Sequence, residues 1–495
     1  MTKAILSFIF LLLYPFLLNS NPVYQEECSS ADNFKTSNEI SDKFNFSIFD
    51  FDSRSTEIPL YRQDTKGSLD NNQGDSEQPQ IMLVEDFNND GIDDLMIEYT
   101  ATWVAPVILY GSSEKNFNIL KLQDLDIDAS RKSIRKAISA DFNNDGYMDI
   151  YGFTTGDHYK EMGISERDIL LINQNGTSFK TIDVKESRKD AANHGGFAID
   201  INNDGWIDIV PLDEKNNTGS FPLKNIDGNK YELQKKHISN DIKKYWIEDG
   251  DSTDLNGDGF QDMVVSVDES SDVHPTKRNK IGTFRIIYGD GDFDFSNNIE
   301  KKLGSSWIDK ETSQLARKVF GNNIKSGTYN INIFDINNDK KPDILISEYI
   351  DNNEYGGRTS GFKAYINKGD CFADETNLYF PNQETNRKFE NESFTNFIGN
   401  FFHKDLNNDG FKDLILRVWY DEYGYFENSP TESFPFIFMN HNNEKYLPIP
   451  FSSGNVFKSL HSISVGDFNG DGVMDITGID PTNDSKVYTY YFNNF

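Results

Sequence analysis

Seven short segments of the sequence place carboxylate and amide side chains at one fixed spacing. In each segment Asp stands at the first, fifth and ninth positions and Asn at the third. We number the segments loops 1 to 7 and their residues as positions one to nine. Positions one, three, five and nine are Asp86, Asn88, Asp90 and Asp94; Asp141, Asn143, Asp145 and Asp149; Asp200, Asn202, Asp204 and Asp208; Asp254, Asn256, Asp258 and Asp262; Asp335, Asn337, Asp339 and Asp343; Asp405, Asn407, Asp409 and Asp413; and Asp467, Asn469, Asp471 and Asp475.

Carboxylates crowded into so short a segment repel one another unless a cation lies between them. Because every donor is an oxygen atom, the pattern favours a hard ion, and Ca²⁺ above Mg²⁺. We expect about seven structural calcium ions, with the position-seven backbone carbonyl as a further ligand. The position-seven residues are Ile92, Tyr147, Trp206, Phe260, Lys341, Phe411 and Val473. The alternative is that the Asp-Gly pairs form only hairpin turns, although a turn does not require Asp at position nine.

The residues around these positions indicate how the loop is built. An EF-hand would place Glu at position twelve, where loop 1 has Ile97. Position six is Gly in six loops, which suits a turn with positive φ, and Lys340 in loop 5. Lys340 is expected to strain that turn and to place a cation near the site, with a side chain that points outward as the alternative. Positions two and ten are always large and apolar, so we expect each loop to join two β-strands whose anchors face a core.

The repeated DxNxDGxxD phrase and its apolar flanks carry a family resemblance. Together with second hairpins that end in lines such as LLINQNGTSF (170–179) and AYINKGDCF (364–372), they resemble the FG-GAP or VCBS repeats of integrin-α-type β-propellers. The resemblance covers roughly residues 44–495. It implies an all-β, seven-bladed β-propeller with a calcium loop in the hairpin between the first two strands of each blade.

The N-terminal region differs from the repeats. An apolar run over 4–18 after Lys3 predicts a signal peptide over 1–20, with an N-terminal membrane anchor as the alternative. Residues 21–43 are polar and are expected to form a flexible leader. Phe44, Phe46 and Ile48 alternate with polar residues, which favours a strand that completes the last blade and closes the propeller over 44–495.

Composition restricts the compartment and the partners. The net charge of −32, with no basic stripe, argues against nucleic acid as a partner. The chain contains two cysteines, Cys28 and Cys371, which an oxidising compartment would allow to pair; two isolated thiols are the alternative. We therefore expect a secreted, periplasmic or cell-surface protein without a membrane span after signal cleavage.

A ligand is expected on the face opposite the calcium loops, where long loops are predicted at 153–167, 268–281, 347–360 and 417–433, with inter-blade stretches at 296–330 and 376–402. The aromatic residues Trp419, Tyr420, Tyr423 and Tyr425 stand beside carboxylates and could contact a protein or a sugar. Packing of this loop against its own blade is the alternative.

No catalytic residues are predicted. The His residues are scattered, and no nucleophile motif is present in the sequence. These observations favour an extracellular binding or adhesion module over an enzyme. The competing hypothesis is a calcium-dependent polysaccharide lyase, for which His158 and Tyr159 in a predicted loop are candidate bases; a solvated loop histidine is the alternative. A stalk domain without a ligand is a third possibility.

Overall fold

The fold is a ring of seven four-stranded antiparallel sheets. It was obtained as a computed structural model, in which the structure describes residues 50–57, 79–99, 106–120, 134–154, 167–187, 193–213, 220–240, 242, 245, 247, 249–267, 283–295, 300–303, 324–352, 357–380, 397–419, 436–442, 444–448, 461–479 and 486–494. The seven-bladed β-propeller predicted from the repeats is confirmed.

The first strands of the blades lie at the centre. They are β2 (Pro79–Glu85), β6 (Ile134–Ala140), β10 (Asn193–Ile199), β14 (Gly250–Thr253), β18 (Ile324–Phe334), β22 (Phe397–Lys404) and β26 (His461–Gly466). Each contacts the first strand of the next blade, and β26 contacts β2, so the ring is closed. The second strands all begin at position nine of a loop: β3 (Asp94–Tyr99), β7 (Asp149–Thr154), β11 (Asp208–Asp213), β15 (Asp262–Val267), β19 (Asp343–Asn352), β23 (Asp413–Trp419) and β27 (Asp475–Ile479).

The remaining strands complete each sheet outward. The third strands are β4 (Val107–Tyr110), β8 (Ile169–Asn173), β12 (Leu223–Asn225), β16 (Thr283–Ile287), β20 (Gly357–Asn367), β24 (Phe436–His441) and β28 (Lys486–Asn494). The outer strands are β5 (Asn118–Ile119), β9 (Phe179–Asp183), β13 (Tyr231–Leu233), β17 (Glu300–Leu303), β21 (Phe372–Asp374), β25 (Lys445–Pro448) and β1 (Asp50–Glu57). One short helix, α1 (Thr376–Tyr379), follows β21.

The last blade joins the two ends of the described chain. β1 pairs antiparallel with β28 and is the outer strand of the sheet that contains β26 and β27. This strand is Asp50–Glu57, whereas the alternating pattern pointed to Phe44, Phe46 and Ile48, which lie outside the described residues. The predicted signal peptide over 1–20 and the predicted leader over 21–43 lie outside them as well.

One predicted loop is wrong, and both predicted inter-blade stretches contain regular elements: β17 and the start of β18 lie within 296–330, and α1 and the start of β22 lie within 376–402. Residues 347–360 were expected to form a long connection, but β19 and β20 extend through most of this segment and leave only 353–356 between them. The two strands pair from Ile344 with Tyr365 out to Asn352 with Gly357. Polar residues such as Asn352 and Arg358 obscured this pairing, because hairpin partners stabilise polar strand ends that no hydrophobic alternation marks.

The core is divided into seven clusters, each of which lies between two neighbouring blades. In loop 2, the position-two residue Phe142 lies in the cluster with blade 3, and the position-ten residue Ile150 lies in the cluster with blade 1. Both are fully buried. The same division holds for every loop, so each loop anchors two inter-blade cores at once. Burial of a large apolar side chain stabilises by about 2 kcal/mol, which makes these anchors substantial.

Two further findings concern the chain as a whole. Cys371 is disulfide-bonded, and Cys28, the other cysteine of the sequence, lies outside the described residues. Within the part of the chain that the structure describes, no helix reaches the length and apolarity that a bilayer crossing needs.

Candidate metal-binding loops

All seven loops connect the first strand of a blade to its second strand, as the sequence analysis predicted. They therefore lie at one end of the ring. In each loop the carboxylates fold back onto the loop backbone through the same hydrogen bonds, and the position-three amide oxygen does so in every loop except loop 3. Loop 2 illustrates the arrangement and the other loops are described by comparison with it.

Positions one, three and five of loop 2 gather around their own backbone N–H groups. Asp141 Oδ1 and Asn143 Oδ1 both accept the N–H of Asp145, at 3.0 and 2.9 Å. Asp141 Oδ2 accepts the N–H of Gly146 at 2.8 Å, and Asp145 Oδ1 accepts the N–H of Tyr147 at 3.0 Å. Since one N–H is shared by positions one and three, their oxygens face the same point in space.

Position nine makes a different set of contacts. Asp149 is fully buried, with Oδ2 accepting the N–H of Phe142 at 3.1 Å and Oδ1 accepting the N–H of Asn173 at 2.8 Å. Position two and the end of the third strand are thereby tied to one carboxylate. In every loop Oδ2 of this Asp accepts the position-two N–H, and Oδ1 accepts an N–H at the end of the third strand or just beyond it.

Burial raises the pKa of these position-nine carboxyls above the ordinary value of 3.8. The pKa of Asp149 rises to about 7, because burial and the charges of Asp145 and Asp141 outweigh the two N–H groups that favour the ionised form. The pKa values of Asp94 and Asp475 rise to about 8 by the same cause, with burial the largest contribution. Such an arrangement disfavours a charged carboxylate unless a cation accompanies it.

The fit to a metal can be judged from the donor chemistry. Among the described residues, no group of three or more His, Cys, Asp or Glu side chains is assembled as a metal site. The loops nevertheless offer only oxygen donors, which suit Ca²⁺. In loop 3, Asn202 Oδ1 is buried and has no hydrogen-bond partner among the described residues. A buried acceptor without a donor is costly, and a cation at this point would satisfy it.

A lysine on a neighbouring strand lies beside loop 3. Lys224 Nζ lies 3.2 Å from Asp204 Oδ2, at position five of loop 3. Burial alone would raise the pKa of Asp204, but hydrogen bonds from Asn202, Trp206 and Lys224 lower it. Lys341 and Lys340 of loop 5 are both exposed. The cationic side chain of Lys340, which the sequence analysis placed near the site, is thus open to solvent.

The turn geometry confirms one prediction and adds a feature that the sequence analysis missed. Position six has positive φ in every loop, including Lys340 at φ 69°. Position four is also left-handed in every loop, for example Asn144 at φ 58° and Gly257 at φ 75°. A signal was present, because position four is always Asn or Gly, the residues that adopt this conformation at the lowest cost.

The ends of the third strands were also missed. Asn173 Nδ2 donates to the carbonyl of Phe87 in loop 1 at 2.8 Å, and its Oδ1 accepts the N–H of Gly176. A Cβ on Gly176 would lie 2.7 Å from Asn88 Cα, so only glycine fits there. Asn225 and Gly228 repeat this arrangement on loop 2. The N-x-x-G spacing was visible in the sequence but does not by itself reveal which loop it contacts.

The predicted ligand positions are distributed as follows. The position-seven side chains are partly buried, apart from the exposed Lys341. Trp419 is the last residue of β23, on the side of the ring away from the loops. Tyr420, Tyr423 and Tyr425 lie outside the described residues, as do His158 and Tyr159. In loop 2 the structure therefore directs positions one, three and five to N–H groups of the loop and position nine to the N–H groups of Phe142 and Asn173, without assembling a metal site among the described residues. The aromatic candidates stay a sequence prediction.

Comparison with known families supports the repeat assignment. The model of the FG-GAP-like repeat matches residues 141–210 and 405–477, which contain loops 2 and 3 and loops 6 and 7 with the strands between the loops of each pair. The protein is a β-propeller with FG-GAP-like repeats. A search of curated protein sequences gave no significant match.

Several solved structures are similar to this chain at low identity. An exotype rhamnogalacturonan lyase, YesX, is 11% identical over 84% of this chain and 72% of its own, with a TM-score of 0.40. The N-terminal domain of Nup159 is 10% identical over 88% and 98%, with a TM-score of 0.39. An endo-arabinase from Bacteroides thetaiotaomicron is 11% identical over 62% and 91%, with a TM-score of 0.31. Nothing about activity follows from likeness at this level.

The raised pKa of the position-nine carboxyls predicts how stability changes with pH. Without metal, the folded protein keeps protons that the unfolded chain loses above its ordinary pKa of 3.8. The contribution of this protonated carboxyl to the free energy of unfolding is therefore fully present below pH 3.8 and is lost as pH rises through about 7. In chelator, the melting temperature should fall between about pH 5.5 and pH 8. Calcium in the loops would favour the ionised carboxylates, so excess calcium should reduce this fall. Parallel curves with and without calcium would contradict that expectation.

Lys340 offers a test of the turn geometry. A left-handed residue with a Cβ costs about 1 to 2 kcal/mol, so Lys340→Gly should stabilise the protein by up to about 1 kcal/mol after the greater unfolded-state entropy of glycine is counted. The matched reverse change is Gly410→Lys at the same position of loop 6, where a Cβ would meet nothing within 4 Å. It should destabilise by a similar amount. Urea midpoints in chelator measure both, and equal effects of the same sign would refute the explanation.

Proposed function

We propose that this protein is an exported calcium-binding β-propeller that acts as an extracellular binding module for a protein or glycan ligand, with calcium in a structural role. The observation that carries the calcium proposal is the sevenfold repetition of one oxygen-donor loop at one end of a closed ring. Hairpin turns alone would not require a buried Asp at position nine in every copy.

The residues assigned to each ion are Asp at positions one, five and nine, Asn at position three and the carbonyl of position seven. Calcium would supply two positive charges to a loop that holds three carboxylates. Apart from Asn202 of loop 3, each of these side chains already accepts N–H bonds from its own loop, which fix its direction before an ion binds. Relief of carboxylate repulsion in a chain of net charge −32 supports a structural role.

Two observations support export. The apolar run over 4–18 has the composition of a signal peptide. The disulfide at Cys371 is of the kind that persists in oxidising compartments. Extracellular calcium is abundant enough to fill even weak sites. The signal-like segment, the disulfide and the proposed calcium sites therefore all favour an extracellular location.

The ligand is assigned to the face opposite the loops. On that side the second and third strands are joined by long connections, at 155–168, 268–282 and 420–435, whereas the loop side repeats one compact turn. Variable connections on a rigid scaffold commonly carry binding residues. The segment that begins at Trp419 and includes Tyr420, Tyr423 and Tyr425 has the aromatic composition of a contact surface.

Calcium titration tests the metal. The mature protein in chelator should melt several degrees lower than in excess Ca²⁺, because an ion that binds only the folded state stabilises it by mass action. Metal counted after desalting should approach seven ions per chain, one for each loop. The matched control is Asp141→Ala, which should remove one ion. If calcium does not change the melting temperature and no metal is bound after desalting, the loops are only turns and the proposal is wrong.

The ligand face can be tested independently of the metal. Replacement of Trp419, Tyr420, Tyr423 and Tyr425 by Ala should abolish saturable binding to immobilised extracellular polysaccharides or cell-surface proteins, because aromatic side chains carry much of the energy of such contacts. The control is Tyr147→Ala with Phe411→Ala on the loop side, which should leave binding intact. Binding that survives the first set would exclude this surface. Release of shortened or unsaturated sugar products would instead identify a lyase.

A further inference from the structure

Side chains at position four connect neighbouring loops around the ring. In four loops the Asn Nδ2 at position four donates to the position-six carbonyl of the next loop. The pairs are Asn89 with Gly146 at 2.8 Å, Asn144 with Gly205 at 3.1 Å, Asn203 with Gly259 at 2.7 Å, and Asn408 with Gly472 at 3.0 Å. All four bonds point in the same direction around the ring, from one loop to the following one.

Each of these bonds reaches a candidate ligand through a single peptide group. The carbonyl of Gly146 and the N–H of Tyr147 belong to the same planar peptide. That N–H donates to Asp145 Oδ1, while the carbonyl accepts from Asn89. Bonds on both sides of one peptide polarise and orient one another. The position of Asp145 in loop 2 is therefore linked to the side chain of Asn89 in loop 1.

The Asn side chain at position four is also connected to the candidate ligands of its own loop. Asn89 stands between Asn88 and Asp90, and the N–H of Asp90 is held by oxygens of Asp86 and Asn88. Its left-handed backbone directs the side chain toward the next loop. Whatever orders the position-three and position-five residues of one loop thus fixes the donor to the next.

The chain of bonds is interrupted at defined places. Gly257 of loop 4 and Gly470 of loop 7 occupy position four and have no side chain to donate. Asn338 of loop 5 makes no such bond among the described residues. Loops 7 and 1 are joined differently, since Asp93 N–H donates to the carbonyl of Asp467 and Asp93 Oδ2 accepts the N–H of Asp467.

We propose that the four Asn bonds couple calcium binding in the adjacent loops that they join, namely among loops 1 to 4 and between loops 6 and 7. This inference rests on the calcium binding proposed above. An ion that orders one loop also fixes the peptide group that accepts the hydrogen bond from the Asn of the neighbouring loop. Because coupling between two binding sites is reciprocal, an ion in the neighbouring loop raises the affinity of the first loop for its own ion. One net hydrogen bond corresponds to a change in affinity of about fivefold.

Loop 3 provides a site-specific readout, because it is the one loop with Trp at position seven. Tb³⁺, which occupies calcium sites, should emit on excitation of Trp206 when it is bound in loop 3. Asp258→Asn removes a ligand from loop 4 and should weaken Tb³⁺ binding at loop 3 about fivefold. In the Asn203→Gly background, which keeps the left-handed turn but loses the bond, Asp258→Asn should have no effect at loop 3.

Two matched controls belong to loop 5. Asp339→Asn removes the corresponding ligand there, and Asn338→Gly makes the same backbone change without a bond to lose. Neither should alter the Tb³⁺ affinity of loop 3. Circular dichroism of each variant confirms that the sheets are retained.

The outcomes separate this inference from the calcium proposal. The first outcome is that Tb³⁺ binds saturably and is displaced by Ca²⁺, but Asp258→Asn leaves the Tb³⁺ affinity of loop 3 unchanged. This result would overturn the coupling alone. An effect of Asp258→Asn that persists in Asn203→Gly would overturn the assignment of the coupling to this bond. Absence of Trp206-sensitised emission from the unaltered protein would overturn both proposals.

Discussion

One buried carboxylate in each blade holds the hairpin, the third strand and the inter-blade core in a fixed relation. The position-nine Asp is desolvated at the first residue of the second strand and accepts N–H groups from position two of the loop and from the third-strand end. Because position two is an apolar anchor between blades, the direction of this carboxylate also fixes how neighbouring blades pack. A group that must be buried and hydrogen-bonded leaves the backbone little freedom, which explains why the same loop recurs unchanged.

The repeats and their anchors were predictable because spacing alone encodes them. Asp at positions one, five and nine defined the loops, and Phe142 and Ile150 identified the flanking strands through their hydrophobicity. The turn at position six followed from glycine. Position four could have been predicted from its restriction to Asn or Gly, but its role depends on a contact with another loop. Such contacts between distant segments leave no spacing signal.

Other features depended on tertiary pairing. The strand that completes the last blade is polar, as Asp52 and Arg54 show, because an outer strand that faces solvent needs backbone pairing more than hydrophobic alternation. The hairpin of β19 and β20 similarly extends through polar residues. The pKa of Asp149 could not be inferred from the sequence either, because burial is its first cause and burial is a property of the packed ring.

The pairing of β1 with β28 has a consequence for biosynthesis. These strands stand at opposite ends of the described chain, so their contacts have very large sequence separation and a high entropic cost of closure. β1 leaves the ribosome before the other described strands but has no partner until β28 has been made. Each of the other six blades takes its four strands from consecutive segments, whereas the seventh blade needs both β1 and β28. During this interval β1 keeps an unpaired edge, and a chaperone would encounter an open ring.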